Sequence, residues 1–166
     1  MLLASMALHA YENTVELTRE DLQQHVDSLM PVQSQLLMIQ LALSDPQVSL
    51  PEGQNRIAIA SRLRALAPGL IDATGRAELS GTIRYQRQEG AFYLDQPVIN
   101  ALQIDQIPAQ QTEPLKELLE VALSHALLST PIYTLSKDNM KERMAKMMLK
   151  RVEVRDQKLL LHLDML

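Results

Sequence analysis

The sequence predicts an α+β fold in which helices stand apart from a central antiparallel meander, and three observations predict it. Between Val32 and Ile107 apolar residues recur with a period of two, broken by Pro- and Gly-containing turns. From Leu115 to Leu128 they recur with the period of a helix. The segments also come in runs, β-α, then strands, then α-β-α-β-β, and do not alternate as in a parallel doubly wound sheet.

The first strand starts at Thr14, where Val15 and Leu17 alternate with Glu16. Thr18 is placed to cap a helix, and Asp21 three residues on completes a capping-box variant, with Leu17 and Leu22 as the hydrophobic staple. Leu22, Val26, Leu29 and Met30 share one face of that helix until Pro31 ends it.

Four meander strands follow. Leu36–Leu43 carries Leu37, Ile39, Leu41 and Leu43 on one face and ends before a turn punctuated by Pro46, Pro51 and Gly53. In the second, Ile57, Ile59 and Leu63 alternate with Arg56, Arg62 and Arg64 up to Pro68-Gly69. In the third, Ala77, Leu79, Ile83 and Tyr85 oppose Arg76, Glu78, Ser80, Thr82 and Arg84. After Glu89-Gly90, the fourth places Phe92, Leu94, Val98, Leu102 and Ile104 on one parity. One face of this sheet is apolar, the other wet and rich in arginine.

A second helix starts near Thr112, with Glu113 and Pro114 suited to its first turn. Leu115, Leu118, Leu119, Ala122, Leu123, Ala126 and Leu127 form a wide stripe, widened further by Val121 and Leu128, which is the natural cover for the apolar sheet face. Thr130-Pro131 ends it, and Ile132–Leu135 is a short extended piece. A third helix starts near Ser136 or Asp138 and carries Met140, Met144, Met147 and Met148. Val152 and Val154 then face Leu159, Leu161 and Leu163 across a turn at Asp156-Gln157, a closing hairpin. Residues 13–166 read as one domain, within the usual size for 166 residues in all. Residues 1–12 read as a residual signal or anchor segment, since Leu2–Ala7 resembles the tail of a secretory signal, or simply as a mildly apolar terminus.

Composition removes several function classes. A net charge of −4 and 3% aromatic residues give neither the field nor the stacking faces expected of a nucleic-acid binder. The absence of cysteine excludes disulfides and thiol chemistry. The five scattered glycines form no phosphate-binding loop, no Ser sits in a nucleophile elbow, and no two histidines have zinc-ligand spacing. The expectation is therefore a protein that is not an enzyme and uses no metal or cofactor. His25, beside Leu22, Val26 and Leu29, and His125 read as packing residues, whereas His162 opposes Leu161 and Leu163 in parity and faces water. Glu113, Glu117 and Glu120 read as a solvated face. The methionines of the third helix either fill an irregular core gap or offer an adaptable apolar surface to a ligand. The second helix meets the sheet tightly or leaves a groove, and periodicity alone does not choose.

Local strings narrow this. Pro131-Ile132-Tyr133-Thr134-Leu135 follows an apolar helix, and Ala145–Val154 leads into the closing hairpin; weaker echoes are Val15–Thr18 with Asp21-Leu22, and Ala91–Leu94. On these the chain resembles the YceB-like bacterial lipoproteins, a domain family without an established function and similar to tubular lipid-binding modules. The resemblance implies a strongly curved meander around a long helix. It implies an envelope location, in the periplasm or anchored to a membrane. It also implies a lipid or fatty acid in an apolar groove, with Leu115, Leu118, Leu119, Ala122 and Leu123 on its helix side. Met140, Met144, Met147 and Met148 are the further candidates for that groove. The chain has no Cys to acylate, and Ser5 stands where one would be. The alternative is a fully packed interaction or scaffold module that meets an acidic partner through Arg56, Arg62, Arg64, Arg76 and Arg84.

Overall fold

The computed structural model describes residues 13–164, so the signal-like segment lies outside the described residues. Among the described residues the chain forms two antiparallel sheets and three helices. The larger sheet runs in the order β2 (Val32–Leu36), β3 (Ile39–Ser49), β4 (Arg56–Ala67), β5 (Ile71–Gln86), β6 (Ala91–Ile104) and β7 (Tyr133–Thr134). The smaller has β1 (Thr14–Thr18) and β8 (Leu149–Arg155) on either side of β9 (Lys158–Leu163). The helices are α1 (Arg19–Leu29), α2 (Ala109–Leu128) and α3 (Met140–Met148).

Several elements form where local chemistry places them. The Thr18 hydroxyl accepts from the Asp21 amide at 3.1 Å while the Asp21 carboxylate accepts from the Thr18 amide at 2.9 Å, so the capping box fixes the start of α1. Leu22 and Val26 are its buried face. The β8–β9 hairpin pairs Val152 with Leu161 and Val154 with Leu159, around a turn in which Asp156 and Gln157 both have positive φ. Such a turn matches the right-handed twist of its strands.

Four expectations are corrected. Leu36–Leu43 is not one strand: the chain reverses at Leu37-Met38, so the large sheet gains a hairpin, β2–β3, and Leu37 leaves the face shared by Ile39, Leu41 and Leu43. Pro46 does not end its strand. Asp45, at φ 49°, and Pro46 form a bulge within β3, held from α1, where the Gln23 amide donates to the Pro46 carbonyl (2.7 Å) and its oxygen accepts from Val48 N–H (2.8 Å). In β6 the single parity breaks at Gln96, φ 48°; Val98 turns outward at 46% exposure and Ile99 turns in, before Leu102 and Ile104 resume the inner face. Finally, α2 starts at Ala109, with Thr112 inside it as a buried residue whose hydroxyl donates back to the Ala109 carbonyl at 2.7 Å.

The bulges bend the large sheet, and α2 shows how far. This helix packs against both β6 and β2. Four strand intervals separate them, which in a flat sheet is roughly 19 Å at ~4.8 Å per interval. A helix about 10–12 Å across does not span that distance, so the sheet curls around α2. The Ser34 hydroxyl of β2 donates to the Ala122 carbonyl (3.1 Å), and Glu120 accepts from the Ile99 amide of β6 (2.8 Å), one tie from each side. Leu119, Ala122, Leu123 and Leu127 are buried inside the curl. Each leucine contributes about 2 kcal/mol by burial.

One end of the curl is closed. Asn55, at the β3–β4 turn, donates to the Val152 carbonyl (3.3 Å) and accepts from the Val154 amide (2.8 Å), and Gln157 donates to the Leu50 carbonyl (3.1 Å). Tyr85 and Arg87, near the β5–β6 turn, donate to carbonyls of Lys146, Met147 and Leu149. The small sheet and α3 thus cover that end. The opposite end carries the β2–β3 turn, the β4–β5 turn and the β6–α2 connection, as antiparallel order requires.

Candidate functional site

The inner face of β4 and β5 beneath α2 is built from small side chains. Directly opposed pairs there are Ser61 with Ala77, Leu63 with Gly75, and Ala65 with Ala73. Leu63 is the one bulky member. Gly75 admits no side chain, because an added Cβ would fall 2.1 Å from the Gln103 carbonyl oxygen of β6. These small side chains form a trough in the inner layer of the sheet that is closed over at Ser61, Leu63 and Ala77, which are buried, and loosens at Ala65 and Ala73, which are half-buried. Ser61 lies within it at 5% exposure, and its hydroxyl oxygen is buried with no hydrogen-bond partner among the described residues. An unsatisfied buried hydroxyl costs about 1–3 kcal/mol, so this position calls for an explanation other than packing.

At the open end the layer loosens. Ile39, Ala65, Ala73, Ile107 and Leu115 are packed against the core but half-buried. A cleft of about 620 Å³ opens between the end of β6 and the first turn of α2, with Leu102, Ile104, Ile107, Pro108, Ala109 and Thr112 among its walls. That volume is within the range of roughly 300–1,000 Å³ usual for small-molecule sites. Toward the middle of α2 the helix and sheet are in closed contact through Leu119, Ala122 and Leu123.

The predicted groove residues therefore separate. Leu119, Ala122 and Leu123 face the sheet, Leu115 is half-buried near the mouth, and Leu118 points outward at 49% exposure. The methionines do not join them. The α3 helix packs on the small sheet, and its buried face is Glu142 and Ala145. Met140 and Met147 are exposed, while Met144 and Met148 are half-buried. The physical reason is Glu142: the Tyr133 hydroxyl donates to its buried carboxylate, which lets a charged residue occupy the face that hydropathy assigns to methionine. His25 does pack, its ring 4.1 Å from that of Tyr133.

Three further side chains differ from their sequence reading. His125, expected to pack, is exposed. Glu120 is half-buried and ties α2 to β6 through the bulged Ile99 amide; a bulge in β6 is the feature that makes this carboxylate structural. His162 is half-buried, not simply solvated, with Nε2 2.8 Å from Glu153. That hydrogen bond, aided by Arg155 and Arg151, holds the Glu153 carboxyl below its usual range.

On the outer face most of the arginines are already engaged. Arg56 donates to the Ser80 carbonyl (3.1 Å), Arg62 pairs with Asp45 and Arg64 with Asp72 (both 3.4 Å), and Arg84 lies 4.6 Å over the Tyr93 ring. Arg76, directly opposite Arg62, has no partner among the described residues. Among the described residues no group of three or more His, Asp or Glu is arranged to hold a metal, and no helix is long and apolar enough to cross a membrane.

A curled antiparallel sheet around one helix, with an unpartnered hydroxyl in a small-residue trough and an apolar mouth, defines an α+β protein with a candidate apolar site. The chain belongs to the family described as a protein of unknown function (DUF1439), whose model matches residues 14–158. No curated protein matches it.

Proposed function

We propose that this is a non-catalytic protein of the bacterial cell envelope that binds a lipid or another apolar ligand between α2 and the inner face of the curled sheet. The observation that carries the reading is the trough of Ser61, Ala65, Ala73, Gly75 and Ala77, in which a buried hydroxyl has no partner among the described residues, and whose Gly75 is paired with Ile104, a wall of the cleft beside Ile107 and Pro108. An acyl chain fits a surface of small apolar residues, and Ser61 offers a single hydrogen bond to its polar atoms. The envelope location and the lipid class are supported by the resemblance of Pro131–Leu135 and Ala145–Val154 to YceB-like lipoproteins.

Titration with a fluorescent polyene fatty acid tests this. The wild-type chain binds saturably, and Ala73→Phe, which fills the trough at its mouth, weakens binding by at least about tenfold, the equivalent of one well-buried side chain. Met140→Lys/Met147→Lys binds like wild type, because α3 lies outside the groove. Equal binding by a folded Ala73→Phe variant, or no saturable binding at all, contradicts the reading. A second reading, an interaction module acting through the outer strand face, has Arg76 in its favour. It is the weaker one because the neighbouring arginines already have partners.

A further inference from the structure

Leu37, Met38 and Leu70 are the most exposed large hydrophobic side chains among the described residues, at 87%, 71% and 75%. All three sit on turns at the same open end. The β3–β4 register, with Gln40 opposite Leu66, makes the Leu37-Met38 turn and the turn at Pro68–Leu70 neighbours. The β6–α2 connection lies alongside, where the Asp105 amide donates to the Thr74 carbonyl at 2.9 Å.

Leu37 carries a second cost. Its φ is +55°, in the left-handed region where Gly, Asn and Asp are at ease and a branched apolar residue is not. Two-residue hairpin turns ordinarily place Asn or Gly in such positions. Strain and solvent-exposed apolar surface thus coincide at one residue, and neither helps the fold. Such coincidence points to a function for the tip.

The surrounding charges decide what it meets. Arg64 is paired with Asp72 at 3.4 Å, while Asp105 accepts only from the neutral Thr74 hydroxyl at 2.8 Å, so these groups leave one net negative charge beside the tips and nothing that attracts an anion. An acidic partner or an anionic headgroup has nothing to steer by here. Side chains projecting from separate turns also need a separate pocket each on a protein partner, whereas the interface of a bilayer closes around each of them. We infer that this end of the protein docks on a lipid bilayer, with Leu37, Met38 and Leu70 entering the headgroup–acyl boundary and no requirement for anionic lipid. The mouth between β6 and α2 then faces the membrane. The inference stands apart from the groove reading, since a bilayer can be bound with no ligand carried.

The test is flotation of the full chain with phosphatidylcholine vesicles, with and without phosphatidylglycerol, for wild type and Leu37→Asn/Leu70→Ser. Wild type floats with both vesicle types and high salt does not release it. The variant loses association by about tenfold or more, as expected for removal of two insertable leucines. Leu37→Asn alone also raises the melting temperature by roughly 2–4 °C, because Asn is at ease at the positive φ that strains Leu37. Equal flotation of wild type and variant overturns the inference, as does binding that depends on the anionic lipid. A concentration-dependent dimer in sedimentation that Leu37→Asn abolishes also overturns it, by assigning the tips to a second copy. The variants leave Ser61 and Ala73 untouched, so flotation and fatty-acid binding fail independently of each other.

Discussion

Glu142 is a carboxylate almost withdrawn from water, at 7% exposure, and the Tyr133 hydroxyl is what makes that tolerable. Burial first, and then the bond to Glu142, push the Tyr133 phenol far above its usual pKa. A raised folded value means that the stability contributed by neutral Tyr133 is present below its unfolded pKa of about 10 and is lost as pH rises beyond it. Tyr133→Phe removes the donor and leaves Glu142 buried and short of a partner. The expected cost is about 1–3 kcal/mol, seen as a lower urea midpoint with an unchanged slope. An unchanged midpoint contradicts this account of α3. Ser61 is the converse case, a buried polar atom with no partner among the described residues.

Elements were legible where the signal is local. Thr18 with Asp21, Pro31 after Met30, and the Val152/Val154 and Leu159/Leu161 pairs each carry their own geometry within a few residues, and each lies where spacing puts it. Signals failed where an element was decided from a distance. Nothing in Leu37-Met38 has turn chemistry, so that reversal was invisible to periodicity. The outward turn of Val98 depends on a bulge opposite Ser80, and Thr112 stays in α2 because its hydroxyl bonds backward. In the small sheet, the His162–Glu153 contact joins neighbouring strands and leads to a pH prediction. Glu153 is depressed in the fold, so its contribution is present above the unfolded carboxylate value of about 4.3 and is lost as pH falls through the lower folded value. Glu153→Gln should therefore flatten the acid limb of a stability–pH profile below about pH 4, and a limb of unchanged steepness contradicts it.

At the scale of the whole molecule, the small sheet, α1 and α3 gather at one end of the curled sheet and leave the other end with loosened packing and apolar turns. The α+β class followed from the order of periods, but that α2 and the methionine helix served different sheets depended on curvature that no window of sequence contains. Of the residues at the candidate groove, Leu119, Ala122 and Leu123 follow from helical spacing, whereas Ser61, Ala65, Ala73 and Gly75 read as ordinary strand residues until β4 and β5 are paired. The central claim is that this layer holds an apolar ligand. It is tested most directly by native mass spectrometry of the protein released gently from a bacterial envelope fraction. The account predicts an added mass that disappears on denaturation and matches a phospholipid or fatty acid. A bare chain mass, unchanged after incubation with mixed envelope lipids, would contradict it.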